Sequence, residues 1–231
     1  MIGKFGINQN ILPKIINAGD KKGEFNDQIR NILKIKYDCV VAAGGHDHFV
    51  GIFALGGFNK NTIVNSLGSA EAITINTEKF LLNKNLEKGK FISGVFKTKT
   101  KANYYIVGSI LTSGIVIDWF KKNFNIKSFS ELNKMTKKVR DKNILFFPQF
   151  EFSHSPINSL KTKGAIFGIN RSTSIMDIYA SILRCLSFDT KNALVFMIKN
   201  SKIKITKIIS SGGSVKNKYW MKMRANIFDK N

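Results

Sequence analysis

Three glycine-rich bends, each placed directly after a short apolar run, constrain this chain more than any other feature. Residues 38–43 run into Gly44-Gly45-His46-Asp47-His48, residues 62–66 into Leu67-Gly68-Ser69-Ala70-Glu71, and residues 203–209 into Ser210-Ser211-Gly212-Gly213-Ser214. Short β-branched and apolar runs read as strands, with 38–43 expected to be buried. Polar residues at a strand's end are where α/β folds keep their chemistry. Paired glycines remove Cβ atoms, so a ligand can approach the backbone closely.

Residues 72–75, 91–96, 104–107 and 144–147 read as further strands. The period then changes: Ile110, Gly114, Ile117 and Phe120 recur at helical spacing and predict a helix over 109–123. Asn26 is a candidate N-cap for a short helix to Leu33. Ser128-Phe129-Ser130-Glu131 reads as a capping box opening a helix to about Arg140. Ser172 or Thr173 can cap a long helix with Ile175, Ile178, Tyr179, Ile182 and Leu186 on one face, and a last helix from Asn217 carries Trp220, Met223 and Ile227. Strands followed by alternating strands and helices make an α/β chain.

The 231 residues carry 37 Lys+Arg against 15 Asp+Glu, a formal charge of +22. A balance this basic suits nucleic acid or another polyanion. The lysines are scattered, however, and no aromatic-interleaved basic motif occurs. Composition bias toward Lys, Asn and Ile is the favoured explanation of the charge, and a phosphate-rich small ligand is compatible with it. Two cysteines, Cys39 and Cys185, make no disulfide framework. No secretory h-region opens the chain, and residues 106–117 are too short to span a bilayer, so a cytoplasmic location is expected.

Each bend has its own chemistry. Asp47, held at a glycine turn, can act as a general base. It can equally be an ordinary capping Asp. His46 and His48 would share one face of an extended segment, but no HExxH or CxxC accompanies them, and no metal site is expected. Gly68-Ser69 can present backbone N–H groups and a hydroxyl to a phosphate. Gly212-Gly213 precedes a helix N-terminus, which favours anions. There is no G-x-x-x-x-G-K-[ST], G-x-G-x-x-G or G-x-S-x-G, which argues against P-loop, classical dinucleotide and α/β-hydrolase readings.

Taken in order, these segments resemble the second half of an FGGY-family carbohydrate kinase. Leu12-Pro13, Val40 to His48, Gly51 and Gly56 are similar to the end of that family's first domain. Asn65-Ser66-Leu67-Gly68-Ser69-Ala70-Glu71-Ala72 resembles its G-T-S/A-E phosphate turn. Pro148, the loop to Pro156, and Gly164-Ala165-Ile166-Phe167-Gly168 resemble its P…P…RGAFxGL segment. Ser211-Gly212-Gly213-Ser214…Asn217…Trp220 resembles its adenosine motif. The likeness runs from about Leu12 to Phe228. Ser69 stands where Thr is usual, and Phe152-Ser153-His154 stands in place of G-E-R.

The resemblance implies a ribonuclease-H-like α/β domain of the actin-like ATPase superfamily, truncated at both ends. Residues 1–58 would be the end of the sugar-binding domain and 59–231 an incomplete nucleotide-binding domain. Asp47 would be the catalytic base, with His48 and His46 near substrate. Gly68, Ser69, Gly114, Asp118, Gly212, Gly213 and Asn217 would contact nucleotide. ATP and Mg2+ are the implied cofactors, and a sugar or polyol is the implied acceptor. The family's D-x-G-T loop is absent here, so a separately encoded N-terminal half is the implied partner. The alternatives are a non-catalytic basic binding module and an inactive remnant of a kinase gene.

Overall fold

A computed structural model describes residues 2–135, 143–150, 155–157, 159 and 161–229. By contact density the chain divides into two units, Met1–Gly51 with Phe96–Asn103, and Ile52–Val95 with Tyr104–Asn231.

The first unit opens with two short 3-10 turns, Ile2–Phe5 and Gln9–Ile11. Strand β1 (Lys21–Glu24) pairs antiparallel with β2 (Val40–Ala42), and helix α1 (Asp27–Ile32) lies between them. Asn26 caps α1 as expected, its side chain accepting from the Ile29 amide at 2.9 Å. The expectation of a buried strand over 38–43 is corrected: β2 is three residues long and all three are exposed. Its sheet partner is the polar Lys-Lys-Gly-Glu strand, which offers no apolar surface to cover it. Helix α2 (Asp47–Ala54) begins at Asp47, directly after the glycine bend.

The second unit is built on a sheet. Strands β3 (Thr62–Leu67), β4 (Glu71–Thr77), β5 (Ile92–Lys97), β6 (Ala102–Ile110) and β9 (Lys207–Ser211) lie in the order β5-β6-β4-β3-β9. β3 is antiparallel to β4 and parallel to β9. Five of its six residues are buried, the continuous pattern of a central strand covered on both faces. A short helix α3 (Lys84–Lys88) joins β4 to β5. Helix α4 (Gly114–Asn123) starts later than expected, because β6 continues to Ile110 in register with β4. α5 (Phe129–Met135) follows; the helix reading over 136–140 lies outside the described residues.

A small antiparallel pair, β7 (Leu145–Phe147) and β8 (Ala165–Phe167), leads to the 27-residue α6 (Ile175–Ser201). Its N-cap is Ser174, in a full capping box with Asp177, rather than Ser172 or Thr173. The expected strand over 203–209 begins only at Lys207. A 3-10 turn, Gly213–Lys216, then leads into α7 (Lys218–Phe228), capped by Asn217.

Helix α6 joins two cores. Tyr179, Ile182, Leu183 and Leu186 pack with Leu67, Val116, Phe120 and Trp220, while Ala193, Leu194 and Met197 pack with Ile63, Ile73, Ile75 and Ile106. No described helix is long and apolar enough to cross a membrane.

Candidate nucleotide site at the glycine turns

The β3–β4 connection is a three-residue loop, Gly68-Ser69-Ala70, because Leu67 pairs with Glu71 across the hairpin. The start of α4 locks it. The Gly114 amide donates to the Gly68 carbonyl at 3.2 Å, and the Ile115 amide to the Ser69 carbonyl at 3.0 Å. This contact needs glycine: a Cβ on Gly114 would sit 2.3 Å from the Gly68 oxygen. The β9 turn meets β3 in the same way. Gly212 has φ +101°, and a Cβ there would fall 2.4 Å from the Leu67 oxygen. At Gly213 a Cβ would meet nothing within 4 Å.

These turns line one cavity of about 600 Å³ with α4, α5, α6 and α7. That volume lies within the range of ordinary ligand pockets. Gly68, Ser69, Gly114, Asp118, Gly213 and Asn217, singled out from sequence, all line it. Gly212 is not among the lining residues; it packs behind them against β3. Phe129, Ser130 and Asn133 of α5, together with Lys216, complete the wall and were not foreseen. The Ser128 cap marks α5 as a helix but not which surface it faces. The Glu131 amide does donate to Ser128 Oγ at 3.2 Å, but the Glu131 carboxylate accepts from Lys127 rather than Ser128.

The floor is both apolar and polar. Leu67, Ile117, Tyr179 and Trp220 are the apolar part, suited to a flat ring. The Asn217 side chain accepts from the Trp220 amide at 3.0 Å, and its Nδ2 donates to the Tyr179 hydroxyl at 3.3 Å. Burial pushes the Tyr179 phenol up to about 12, against a smaller opposing pull from Asn217. The phenol therefore stays protonated at neutral pH.

Asp47 belongs to the first unit, at the start of α2. Its side chain is exposed, Oδ1 accepts from the His48 amide at 2.7 Å, and His46 Nδ1 lies 3.1 Å from the same oxygen. Burial holds His48 below the ordinary imidazole value, His46 adds to this, and Asp47 opposes it. The His46 and His48 ring centroids are 6.4 Å apart. Among the described residues no group of three or more His, Cys, Asp or Glu side chains could hold a metal ion. His154 and its loop neighbours Phe152 and Ser153 lie outside the described residues.

The C-terminal domain model of the FGGY family of carbohydrate kinases matches residues 63–231. The chain belongs to the FGGY family. It is 24% identical over 236 residues to a xylulose kinase of Staphylococcus xylosus, covering 99% of this chain and 47% of that protein. A glycerol kinase of Staphylococcus haemolyticus is 27% identical over 183 residues, covering 78% of this chain and 36% of that protein. The chain thus spans about half the length, or less, of the curated relatives it matches.

Among solved structures, Plasmodium falciparum glycerol kinase with ADP superposes with TM-score 0.85 at 20% identity, over 99% of this chain and 45% of that one. Ligand-bound xylulose kinase from Lactobacillus acidophilus gives TM-score 0.78 at 18% identity, over 99% and 46%. The fold is the actin-like ATPase fold that the resemblance to the FGGY family implied.

Proposed function

We propose that this chain is the nucleotide-binding part of an ATP-dependent carbohydrate kinase, transferring the γ-phosphoryl group of Mg-ATP to a hydroxyl of a sugar or polyol. The observation that carries the reading is the convergence of the β3–β4 turn, the α4 N-terminus and the β9–α7 turn on one cavity with an apolar floor. The cradle suits the nucleotide: Gly213 leaves open space where a side chain would stand, and Lys216 brings a cation to the wall. Bound Mg-ATP would supply the phosphoryl group to be transferred.

In this reading Gly68 and Ser69 meet the phosphates, Gly114 and Asp118 flank them, and Gly213 and Asn217 hold the adenosine side. Asp47, a carboxylate with acceptor capacity free toward solvent, takes the proton from the attacking hydroxyl. His46 and His48 flank the acceptor, His48 being uncharged at neutral pH. Catalysis rests mostly on positioning and charge stabilisation.

The domain boundary near residue 58 belongs to the same proposal, with the earlier residues closing a sugar-binding domain. So does a separately encoded N-terminal half as partner. Among the residues of the first unit whose burial is described, only Asn103 is buried. With no buried apolar side chain among its described residues, the unit suits a further stretch of chain that would cover the exposed ones.

The test has two stages. Calorimetry should detect ADP binding to the 231-residue chain, and Gly213→Val, which projects into the cavity, should abolish it without lowering Tm. Paired with an N-terminal kinase half, the chain should support sugar-dependent ADP release, and Asp47→Asn should lower kcat by ~10²–10⁴. Absence of ADP binding by the wild-type chain overturns the nucleotide reading. Unchanged turnover in Asp47→Asn overturns the base assignment.

A further inference from the structure

Next to the cavity, behind Trp220, lies a buried charge cluster whose two charged residues are not among those that line it. Glu71 is the first residue of β4, directly after the Gly68-Ser69-Ala70 turn, and is 1% exposed. Its two oxygens are shared among four other elements. Oε1 accepts from Asn65 of β3 at 2.8 Å, from Thr190 of α6 at 2.8 Å and from Arg224 Nη2 of α7 at 2.5 Å. Oε2 accepts from Ser113, just ahead of α4, and from Arg224 Nη1, both at 3.3 Å. Arg224 is 2% exposed, and its guanidinium lies 5.3 Å from the Trp220 ring centroid and 4.8 Å from that of Phe228.

Stability alone is a poor reason for this arrangement. Desolvating two charges offsets much of their attraction, and apolar pairs of similar volume commonly serve as well. Nor is the cluster fully satisfied: Asn65 Oδ1 and Arg224 Nε are buried with no hydrogen-bond partner among the described residues. What the cluster supplies is direction. Each element that it ties also contributes to the cavity: the β3–β4 turn, α4 through Gly114 and Asp118, α6 through Tyr179, and α7 through Asn217 and Trp220.

We propose that Glu71 and Arg224 are a positioning pair, which fixes the phosphate-side turn at Gly68-Ser69 relative to the adenosine-side turn ahead of α7. The pair touches no ligand and acts through the turns. The inference rests on the nucleotide reading above. It predicts separable effects: loosening the pair frees the phosphate turn, while the apolar floor that holds the ring stays in place.

The experiment compares ADP with adenosine on the full chain. The double variant Glu71→Leu/Arg224→Met removes both charges and leaves none buried alone. Its ADP affinity should fall about tenfold or more, a coupling of ordinary size, while adenosine affinity holds. Arg224→Lys, which keeps charge but loses the two-pronged contact, should fall between. If the double variant does not fold, Glu71→Gln, nearly the same shape, carries the same comparison. An unchanged ratio of ADP to adenosine affinity in folded variants overturns the proposal. A wild-type chain that binds neither compound overturns the nucleotide reading instead, which distinguishes the two failures.

Discussion

Tyr179 serves core and cavity with one side chain, and its titration reports on both. The ordinary phenol value is 10.0, and in the fold it is raised to about 12, chiefly by burial. Between those values the unfolded chain has released the proton and the folded chain has kept it. The stabilisation is fully present below pH 10 and is lost as pH rises through 12. Urea titrations from pH 8 to 11 should therefore show falling stability, and Tyr179→Phe should flatten that fall by ~1 kcal/mol at pH 11. Tyr105, also raised by burial, contributes to the same limb and remains in the variant. At this scale the glycines were the readable residues. Gly68 and Gly213 are marked by local backbone chemistry, and Gly114 only by the family resemblance. Glu71 and Arg224 were not, because neither a carboxylate in a hairpin nor an arginine on a helix announces burial until its partner, 153 positions away, is in place.

The elements show where local signals sufficed. Helix α6 was legible as a long apolar stripe, but its start was not. The segment Arg171-Ser172-Thr173-Ser174 offers three hydroxyls in succession. Ser172 and Thr173 are taken by loop bonds with Asn170, at 2.7 and 2.9 Å. Ser174 instead pairs with the fully buried Asp177, whose carboxylate accepts from the Ser174 amide at 2.9 Å. Ser174→Ala should therefore cost about 1 kcal/mol in chemical denaturation, while Ser172→Ala stays close to wild type. Strand β2 shows the opposite case. Val40 and Val41 carry strong strand propensity, yet with the polar β1 as their sheet partner they are exposed.

For the whole molecule the contrast between the units is the informative feature. The second unit holds two apolar clusters joined by α6. In the first, Phe5, Ile15 and Tyr37 are 74%, 92% and 82% exposed. Segments with few buried contacts open at low free energy. Amides of β1, α1 and β2 should exchange within seconds to minutes, while those of β3, β4 and α6 stay protected far longer. Adding an N-terminal kinase half should slow the first group and leave the second as it was. Exchange unaltered in the first group would count against the proposed pairing.

Sequence by itself determined the order of strands and bends along the chain and the helical stripes of α6 and α7, and the resemblance of those bends to the FGGY family picked out six of the residues that face the cavity. Those signals are local: a glycine where backbone must approach backbone, an asparagine cap, a period of 3.6. Tertiary structure alone decided that α5 walls the cavity, that Gly212 supports it from behind, and that Glu71 and Arg224 meet next to it. These outcomes depend on contacts between distant positions, whose energies no single segment of the chain contains.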